Sequence, residues 1–435
     1  MDWASPLALH PIAFYQLVAF PFAVSFHYLC TSGSLSLNAR YVLLLVGGCL
    51  LACAAMGWYA LLLFIPTFCS VAIFHSVGPL QVHTWAFVVQ MSWQTLCHLG
   101  LHYREHYLQG APCIRLTIAL SSLMLQTQKV TSLALDIHEG KVTMAAEWGD
   151  GREPLLRALP LCSYLLFFPA LLGGPLCSFR RFQDQIQGSC ASRPTASWRA
   201  AGQKCLRALA LHLLRTAVRS CVAPLARMTD CTGFGCVYVM WHSALLFKLA
   251  YYSQWVLDEA LLSAAGFGLE RGHAPGAEAA CGDLSDADIW TLETTNRIAL
   301  FTRTWNKSTS RWLRRLVFQR SPAQPLLATF AFSAWWHGLH PGQVFGFLCW
   351  AAMVEADYRI HPFLRSLAKS RHTKVLYQAL TWVQTQLLVA YITAAVEMRS
   401  FSALWLLGAS YNSFFPLLYG ASLLWLVARA KEKCV

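Results

Sequence analysis

Charge is scarce in this sequence. Asp, Glu, Lys and Arg together make up only 13% of the 435 residues, and none of the four occurs between Tyr41 and Tyr103. A water-soluble domain carries about 25% charged residues, so that class of protein is excluded. Because about 20 apolar residues are needed to cross a bilayer, the sequence predicts an integral membrane protein with several consecutive spans.

The sequence also lacks the motifs of several enzyme classes. It contains no G-x-S-x-G nucleophile elbow, no G-x-x-x-x-G-K-[ST] phosphate loop and no H-E-x-x-H zinc motif. Its 16 cysteines include no C-x-x-C pair, which argues against both a zinc cluster and a disulfide framework. We therefore expect neither a metal nor a bound cofactor.

Apolar segments recur along the whole chain instead. Twelve candidates lie at residues 6–30, 41–57, 58–76, 83–103, 112–126, 159–177, 205–226, 234–256, 326–340, 343–357, 375–396 and 402–428. The first has no basic residue before it and no clear cleavage site, so we expect it to be retained. The fold class predicted is an all-α polytopic membrane protein, with a single membrane domain over residues 1–435.

Basic residues set the expected orientation. Arg40 follows the first segment, and Arg429, Lys431 and Lys433 follow the last, which favours a lumenal N-terminus and a cytosolic C-terminus. The number of crossings is then odd, so we expect about eleven spans and one re-entrant segment. The last five residues, "KEKCV", have the lysine spacing of a dilysine signal for retrieval to the endoplasmic reticulum.

The re-entrant segment is expected where two short candidates, 326–340 and 343–357, meet. Gly338, Pro341 and Gly342 lie at their junction. Such residues interrupt a helix, and irregular backbone at membrane depth is tolerated where protein lines a cavity.

The few charges are unevenly placed. Residues 178–227 carry nine basic side chains and one acidic, and residues 303–320 carry six basic and none acidic. Cytosolic loops and interfacial amphipathic helices explain both, and some of these cations are also suited to hold a phosphate-rich ligand. Residues 258–293 carry eight acidic side chains and one basic, within a Gly/Ala-rich stretch that indicates a long polar loop.

The stretch "SAWWHGLHPG", residues 333–342, places His337 between apolar runs. An imidazole is the natural general base for a hydroxyl, and a polar residue at membrane depth is a functional candidate. Two alternatives stay open. His337 could serve packing alone, or it could form a metal pair with His340, three residues further along the same helical face, although no third ligand is evident.

The stretch "RTWNKSTSRWLRRL", residues 303–316, alternates basic residues with Trp305, Trp312 and leucines, as expected of one interfacial amphipathic helix. Asn306 begins a glycosylation sequon, but the basic flanks indicate the cytosolic side, where glycosylation does not occur. Its amide is suited to donate to an oxyanion or to hold a substrate carbonyl.

The stretches "WNKSTSRWLRRLVF" and "FAFSAWWHGLHPG" resemble the signature of the membrane-bound O-acyltransferase family. The segment "SYLLFFPALLGGPLCSFRRF", residues 163–182, resembles the Phe-Pro and Gly-Pro segment of the same family. The resemblance covers essentially the whole chain. It implies that Asn306 and His337 form the catalytic pair, and that an octanoyl group passes from octanoyl-CoA, the co-substrate, to a serine hydroxyl of proghrelin in the endoplasmic reticulum membrane.

Residues beside the pair are expected to bind substrate. On a regular helix Phe330, Ser333 and Ala334 share the face of His337, so they are candidates to line a chamber for the acyl chain. Phe330 would end that chamber, or it would only pack against a neighbouring helix. Trp305 and Arg303 are further substrate-binding candidates.

Two other functions fit the same residues. One is acyl transfer to a lipid acceptor such as a lysophospholipid. The other is a transporter or channel in which His337 relays protons, and it would show no turnover of acyl-CoA.

Overall fold

The computed structural model describes residues 11–143, 154–188, 194–221, 233–267, 285–286 and 288–432. Within these ranges the regular structure is entirely helical, which confirms the predicted fold class. The start of the first apolar segment, most of the predicted polar loop and Lys433 lie outside the described residues.

The helices follow one another along the chain. They are α1 (Pro11–Thr31), α2 (Leu37–Met56), α3 (Leu61–Ser76), α4 (Val82–His106), α5 (Ile114–His138), α6 (Pro154–Leu165), α7 (Phe179–Gln187), α8 (Pro194–Cys221), α9 (Phe234–Ala264), α10 (Ile289–Thr294), α11 (Ile298–Thr304), α12 (Lys307–Leu316), α13 (Pro325–His337), α14 (Pro341–Leu367), α15 (Arg371–Glu397), α16 (Phe401–Ala409) and α17 (Phe414–Glu432).

Five helical stretches among the described residues are long and apolar enough to cross a membrane. They are Pro11–Thr31, Leu37–Ser76, Phe234–Ala264, Arg371–Glu397 and Tyr411–Arg429. The second has 40 residues and contains the 3₁₀ turn Gly57–Ala60 at its middle, so its length suffices for two crossings of about 20 residues each. The chain is therefore a multi-pass membrane protein.

Other predicted spans coincide with helices that are less apolar, because some of their polar side chains face the protein interior. On α5 the consecutive residues Gln126, Thr127, Gln128 and Lys129 are all buried. The Thr127 hydroxyl donates a hydrogen bond of 2.8 Å to Gln94 Oε1 on α4. Hydropathy alone underestimates such helices, since some of their polar groups form hydrogen bonds within the protein.

The segment predicted as one span at residues 159–177 is helical only as far as Leu165. A 3₁₀ turn follows at Phe168–Ala170, and Gly174 has a φ of 94°. The prediction of a continuous helix was wrong here because Pro169 lacks an N–H to donate and the Gly-Gly-Pro sequence favours irregular backbone.

The segment predicted as one span at residues 402–428 is two helices. The backbone is extended at Ser410, where α16 ends, and a 3₁₀ turn, Tyr411–Ser413, leads into α17. The Leu407 carbonyl at the end of α16 accepts from the backbone N–H of Ser410 and from the Ser413 hydroxyl, which holds the start of the second helix against the end of the first.

The chain divides into two compact units. The first comprises Met1–Ala208 and Gln254–Ser285, and the second comprises Leu209–Ser253 and Asp286–Val435. A single domain over residues 1–435 stays a prediction. In the second unit α14 packs against α11, α13, α15 and α17, and its buried core includes Phe330, Phe347 and Val354. Every candidate site residue lies in this second unit.

Candidate active site

The helix break predicted beside His337 is present. Helix α13 ends at His337, Gly338 follows with a φ of 115°, and Leu339 also has a positive φ, of 61°. Glycine adopts such values without steric cost, so it ends the helix here. The 13 residues of α13 span about 20 Å, less than the roughly 30 Å of a hydrocarbon core.

Aromatic rings surround the half-buried imidazole of His337. The ring of Phe347, on α14, lies stacked against it with centroids 4.9 Å apart and planes inclined by 25°. The ring of Trp336 approaches edge-on, at 4.6 Å. These contacts fix the orientation of the imidazole plane across the break between two helices.

His340 does not share a helical face with His337. Because α13 ends at His337, His340 lies beyond the break and is the N-cap of α14, where its backbone N–H donates to Gln343 Oε1 at 3.3 Å. The helical geometry on which the metal-pair alternative rested is therefore wrong. Within the described ranges, no group of three His, Cys, Asp or Glu side chains is placed to hold a metal ion.

Asn306 lies between two helices, not within one. It has left-handed backbone angles, φ 49° and ψ 72°, and it is the N-cap of α12. The prediction of one amphipathic helix over residues 303–316 was wrong, because α11 ends at Thr304. Asparagine is one of the few residues that adopt this conformation readily, and its side chain is a preferred N-cap.

The cap determines which way the Asn306 amide points. Its Oδ1 accepts hydrogen bonds from the Thr309 backbone N–H at 3.1 Å and from the Ser308 hydroxyl at 3.3 Å. Since a backbone N–H can only donate, the atom that faces it must be the oxygen. The Nδ2 group is then directed elsewhere, and no residue in the described part of the chain accepts a hydrogen bond from it.

A buried carboxylate also holds the start of α12. The Asp286 carbonyl accepts from the Lys307 N–H at 2.7 Å, and its Oδ1 accepts from the Ser308 N–H at 3.3 Å. Asp286 is only 1% exposed. Negative charge at a helix N-terminus stabilises that helix. Sequence analysis missed this residue, because it lies in the acidic stretch interpreted as a polar loop and no local pattern marks it.

Trp305 lies within a cluster of aromatic side chains. Its ring is stacked near Phe301, at 5.6 Å, and lies 6.0 Å from the ring of Tyr252 on α9. The Tyr252 hydroxyl donates to Glu293 Oε1 at 2.8 Å, and Lys248 Nζ lies 2.8 Å from Glu293 Oε2. This network fixes the indole that immediately precedes Asn306.

Arg303 is exposed and is held against α14. Its Nη2 donates to the Tyr358 hydroxyl at 2.6 Å, and its guanidinium carbon lies 5.8 Å from the centroid of the same ring. A cation in this position keeps its charge near the end of α11 without an acidic partner in that contact.

The predicted face of α13 is present, because the helix is continuous from Pro325 to His337. Phe330, Ser333 and Ala334 lie on it and are all buried. Phe330 also packs against a neighbouring helix, with its ring 5.8 Å from that of Trp350 on α14. The continuous helix that a chamber on this face requires is therefore present, and the lining of such a chamber by Phe330, Ser333 and Ala334 stays a prediction.

Two aromatic residues missed by sequence analysis connect Phe330 to His337. Trp350 contacts Phe330, lies parallel to Phe347 at 6.3 Å, and donates from Nε1 to Thr302 Oγ1 at 2.7 Å. Phe347 in turn stacks on His337. Their spacing of three residues on α14 is a helical pattern, but only the fold shows which helix they face.

The helices that carry the predicted pair are in contact. Trp312 of α12 lies 5.2 Å from Trp336 and 5.8 Å from Phe332, both on α13. Asn306 is the N-cap of the first helix and His337 is the last residue of the second. The fold thus joins two segments that are separate in the sequence into one region of the second unit.

Comparison with known proteins agrees with these features. The sequence model of the membrane-bound O-acyltransferase family matches residues 111–390. The chain is 56% identical to the membrane-bound ghrelin O-acyltransferases of Mus musculus and Rattus norvegicus, in each case over the whole of both chains. It is 30% identical to membrane-bound glycerophospholipid O-acyltransferase 1 of Homo sapiens, over 88% of this chain and 82% of the relative. The chain therefore belongs to the membrane-bound O-acyltransferase family.

Proposed function

We propose that this enzyme transfers an octanoyl group from octanoyl-CoA to a serine hydroxyl of proghrelin, with no metal or bound cofactor. The proposal is supported by the 56% identity, over the full length, to two relatives named ghrelin O-acyltransferases. One structural observation carries the chemistry: the cap at α12 leaves the Nδ2 group of Asn306 as a donor, on a helix that packs against the one ending at His337.

The thioester of acyl-CoA is already activated, so the enzyme needs a base and an oxyanion donor. His337 accepts the proton of the serine hydroxyl as its oxygen attacks the thioester carbon. Negative charge develops on the carbonyl oxygen, to which Asn306 Nδ2 donates. The tetrahedral intermediate then expels the CoA thiolate, which takes the proton from the His337 imidazolium, so an ester and free CoA are released.

The orientation of the Asn306 amide narrows its role. The carbonyl oxygen of the bound thioester and the oxyanion derived from it are the same atom, and both accept hydrogen bonds. A donor fixed at Nδ2 hydrogen-bonds to the carbonyl oxygen of the bound thioester and, more strongly, to the oxyanion of the intermediate. Because the cap holds Oδ1 in place, little reorganisation is needed as the charge develops.

The acyl chain would lie along the face of α13 that carries His337, Ala334, Ser333 and Phe330. Seven residues separate Phe330 from His337, a rise of about 10 Å, similar to the length of an eight-carbon chain. Each buried methylene contributes about 0.8 kcal/mol, so a preference for medium chains requires a wall that ends the chamber. Phe330, held by Trp350, has a suitable position and bulk for that wall.

Cations near the site would hold the CoA phosphates. Arg303 at the end of α11 and the basic side chains of α12 are the candidates, and Trp305 would contact the substrate beside Asn306.

Phosphate binding here requires this face to be cytosolic. We accordingly propose a lumenal N-terminus, a cytosolic C-terminus, about eleven crossings with the α13–α14 break as the re-entrant segment, and residence in the endoplasmic reticulum.

A lipid acceptor is the second candidate function, because the chain is also 30% identical to a human glycerophospholipid O-acyltransferase. Membership of an acyltransferase family disfavours the third, a proton-relaying transporter.

The acceptor can be tested by incubating the purified enzyme with octanoyl-CoA and either an N-terminal proghrelin peptide or a lysophospholipid. Mass spectrometry should find the octanoyl ester on the peptide serine, whereas acylation of the lipid alone would overturn the proposal.

A further inference from the structure

A network of polar side chains around the buried carboxylate of Asp357 lies outside the residues assigned so far, and the Arg297 side chain in it is 34% exposed. Arg297 donates from Nε to Asp357 Oδ2 at 2.9 Å, and its Nη2 lies 2.9 Å from the same oxygen. The second carboxylate oxygen, Oδ1, lies 3.0 Å from His361 Nε2. The other nitrogen of His361 lies 2.6 Å from the Tyr377 hydroxyl on α15, and Tyr419 of α17 approaches Nε2 at 3.3 Å.

Burial restricts the position of the carboxylate at the centre of this network. Asp357 is 0% exposed and His361 is 2% exposed. A carboxylate removed from water is costly unless it is paired and hydrogen-bonded, and removal of one partner leaves an uncompensated charge. With Arg297 at one oxygen and His361 at the other, the carboxylate has little freedom to rotate.

The two charged partners belong to the two parts of the proposed active site. Arg297 is the N-cap of α11, the seven-residue helix that leads directly to Trp305 and Asn306. Asp357 lies on α14, which begins at the break after His337 and places Phe347 against the imidazole. The ion pair therefore ties the Asn306 segment to the helix that orients His337.

Two other polar contacts join the same helices further along. Trp350 Nε1 donates to Thr302, and Arg303 donates to Tyr358. Neither joins two opposite charges, and Arg303 is exposed to solvent. The Arg297–Asp357 pair joins opposite charges and its carboxylate is fully buried, so its loss should alter how α11 lies on α14.

We infer that Arg297 and Asp357, with the carboxylate oriented by His361, are positioning residues that set the place of the Asn306 amide relative to His337. They touch neither substrate nor reacting atoms. The inference rests on the proposed function, in which Asn306 and His337 act together. A displacement of about 1 Å in a catalytic group can cost about 100-fold in rate, so a contact remote from the chemistry can control kcat.

The test compares Asp357→Asn and Arg297→Lys with wild type, both by steady-state octanoyl transfer and by hydrogen–deuterium exchange. Asp357→Asn removes the negative charge. Arg297→Lys replaces the planar guanidinium, whose Nε and Nη2 both contact Asp357 Oδ2, with an ammonium group that cannot make both contacts. We expect kcat to fall about 100-fold for Asp357→Asn, with KM for octanoyl-CoA changed less than about twofold. Exchange should become faster in peptides covering residues 298–316.

Glu355→Gln is the matched control. Glu355 lies on the same helix and pairs with Arg359 at 2.8 Å, but both side chains are exposed. An exposed pair contributes little, so its loss should change neither kcat nor exchange at residues 298–316. If Glu355→Gln lowers kcat as much as Asp357→Asn does, the effect is not specific to the Arg297–Asp357 pair and the inference fails.

A double variant in which both partners are uncharged distinguishes a positioning role from a general requirement for folding. The double variant Arg297→Gln with Asp357→Asn leaves no unpaired buried charge and can keep an amide–amide contact. We expect it to recover at least about tenfold in kcat over Asp357→Asn alone, the signature of coupled residues. Wild-type kcat in both single variants, or a double variant with a kcat no higher than that of Asp357→Asn alone, would overturn the inference.

Failure of the proposed function has a different signature. Full transfer by Asn306→Ala would remove the catalytic pair, whereas exchange at residues 298–316 still reports whether Arg297 and Asp357 hold the segment. Unchanged exchange in Asp357→Asn and in Arg297→Lys would overturn the positioning inference even if Asn306 proves essential.

Discussion

The imidazole of His337 lies face to face with the ring of Phe347, with centroids 4.9 Å apart and planes inclined by 25°. The two residues lie on opposite sides of the helix break, and the stacking joins the end of α13 to the start of α14. Because ring nitrogens lie in the plane of an imidazole, a ring stacked on its face does not itself cover them. The contact thus orients the plane of the proposed base.

Substitutions at Asn306 separate its structural role from its chemical role. Asn306→Asp keeps an oxygen for the cap and tolerates the left-handed backbone, but it removes the Nδ2 donor. We expect kcat to fall about 100- to 1,000-fold, as for loss of one oxyanion donor, with an unchanged melting temperature. Asn306→Ala should lose both activity and stability. Near wild-type transfer by Asn306→Asp would show that the amide donor is not used.

Replacement of Phe330 by Ala should shift donor preference toward longer acyl groups. The side chain lies two helical turns from His337, where we propose that it ends the chamber. If Phe330 only packs against Trp350, its loss should lower the rates with all donors in parallel. Relative rates with eight-, ten-, twelve- and fourteen-carbon CoA donors distinguish these outcomes, and an unchanged length profile would remove Phe330 from the wall.

The proposed topology predicts that Asn306 is not glycosylated, although Asn306-Lys307-Ser308 is a sequon. Asn306 lies between α11, which ends with Arg303 in its last turn, and α12, which carries four basic residues, and this favours the cytosolic face. Endoglycosidase treatment of wild type should leave its gel mobility unchanged. A mobility shift that is abolished in Asn306→Gln would place this segment in the lumen and reverse the topology.

Gly342 should not tolerate a side chain. A Cβ atom there would lie 2.1 Å from the Met398 carbonyl oxygen and 2.2 Å from that of Ala395, so α14 and α15 would have to separate. We expect Gly342→Ala to cost about 1–3 kcal/mol, measured as a lower melting temperature in detergent.

Gly408→Ala is the matched control for Gly342→Ala, because Gly408 is also helical and nothing lies within 4 Å of its added Cβ atom. It should be neutral or stabilise the helix by up to about 1 kcal/mol. Equal losses of stability in the two variants would contradict the close approach of α14 and α15.

Local signals predicted the helical content, the break near Gly338 and the shared face of His337 and Phe330, because each depends on neighbouring residues. They failed at Asn306, where an amphipathic pattern continued across a left-handed residue. The pattern reports which side chains are apolar, and it does not show that the backbone turns between Thr304 and Lys307.

The sequence alone did not predict contacts between distant parts of the chain. Arg297 and Asp357 are 60 residues apart, and no local pattern links them. Asp286 holds the start of α12 from within a stretch that composition marks as a loop. Pairings of this kind depend on how helices pack, which a single sequence taken alone does not specify.

The proposed mechanism requires His337 as the base, and one measurement tests this role directly. Purified wild type and His337→Ala, matched for amount and melting temperature, are incubated with octanoyl-CoA and the N-terminal proghrelin peptide, and the octanoylated serine is quantified by mass spectrometry. A general base contributes about 100- to 10,000-fold, so His337→Ala should lose at least about 99% of the wild-type rate. Transfer by His337→Ala at the wild-type rate would contradict the mechanism.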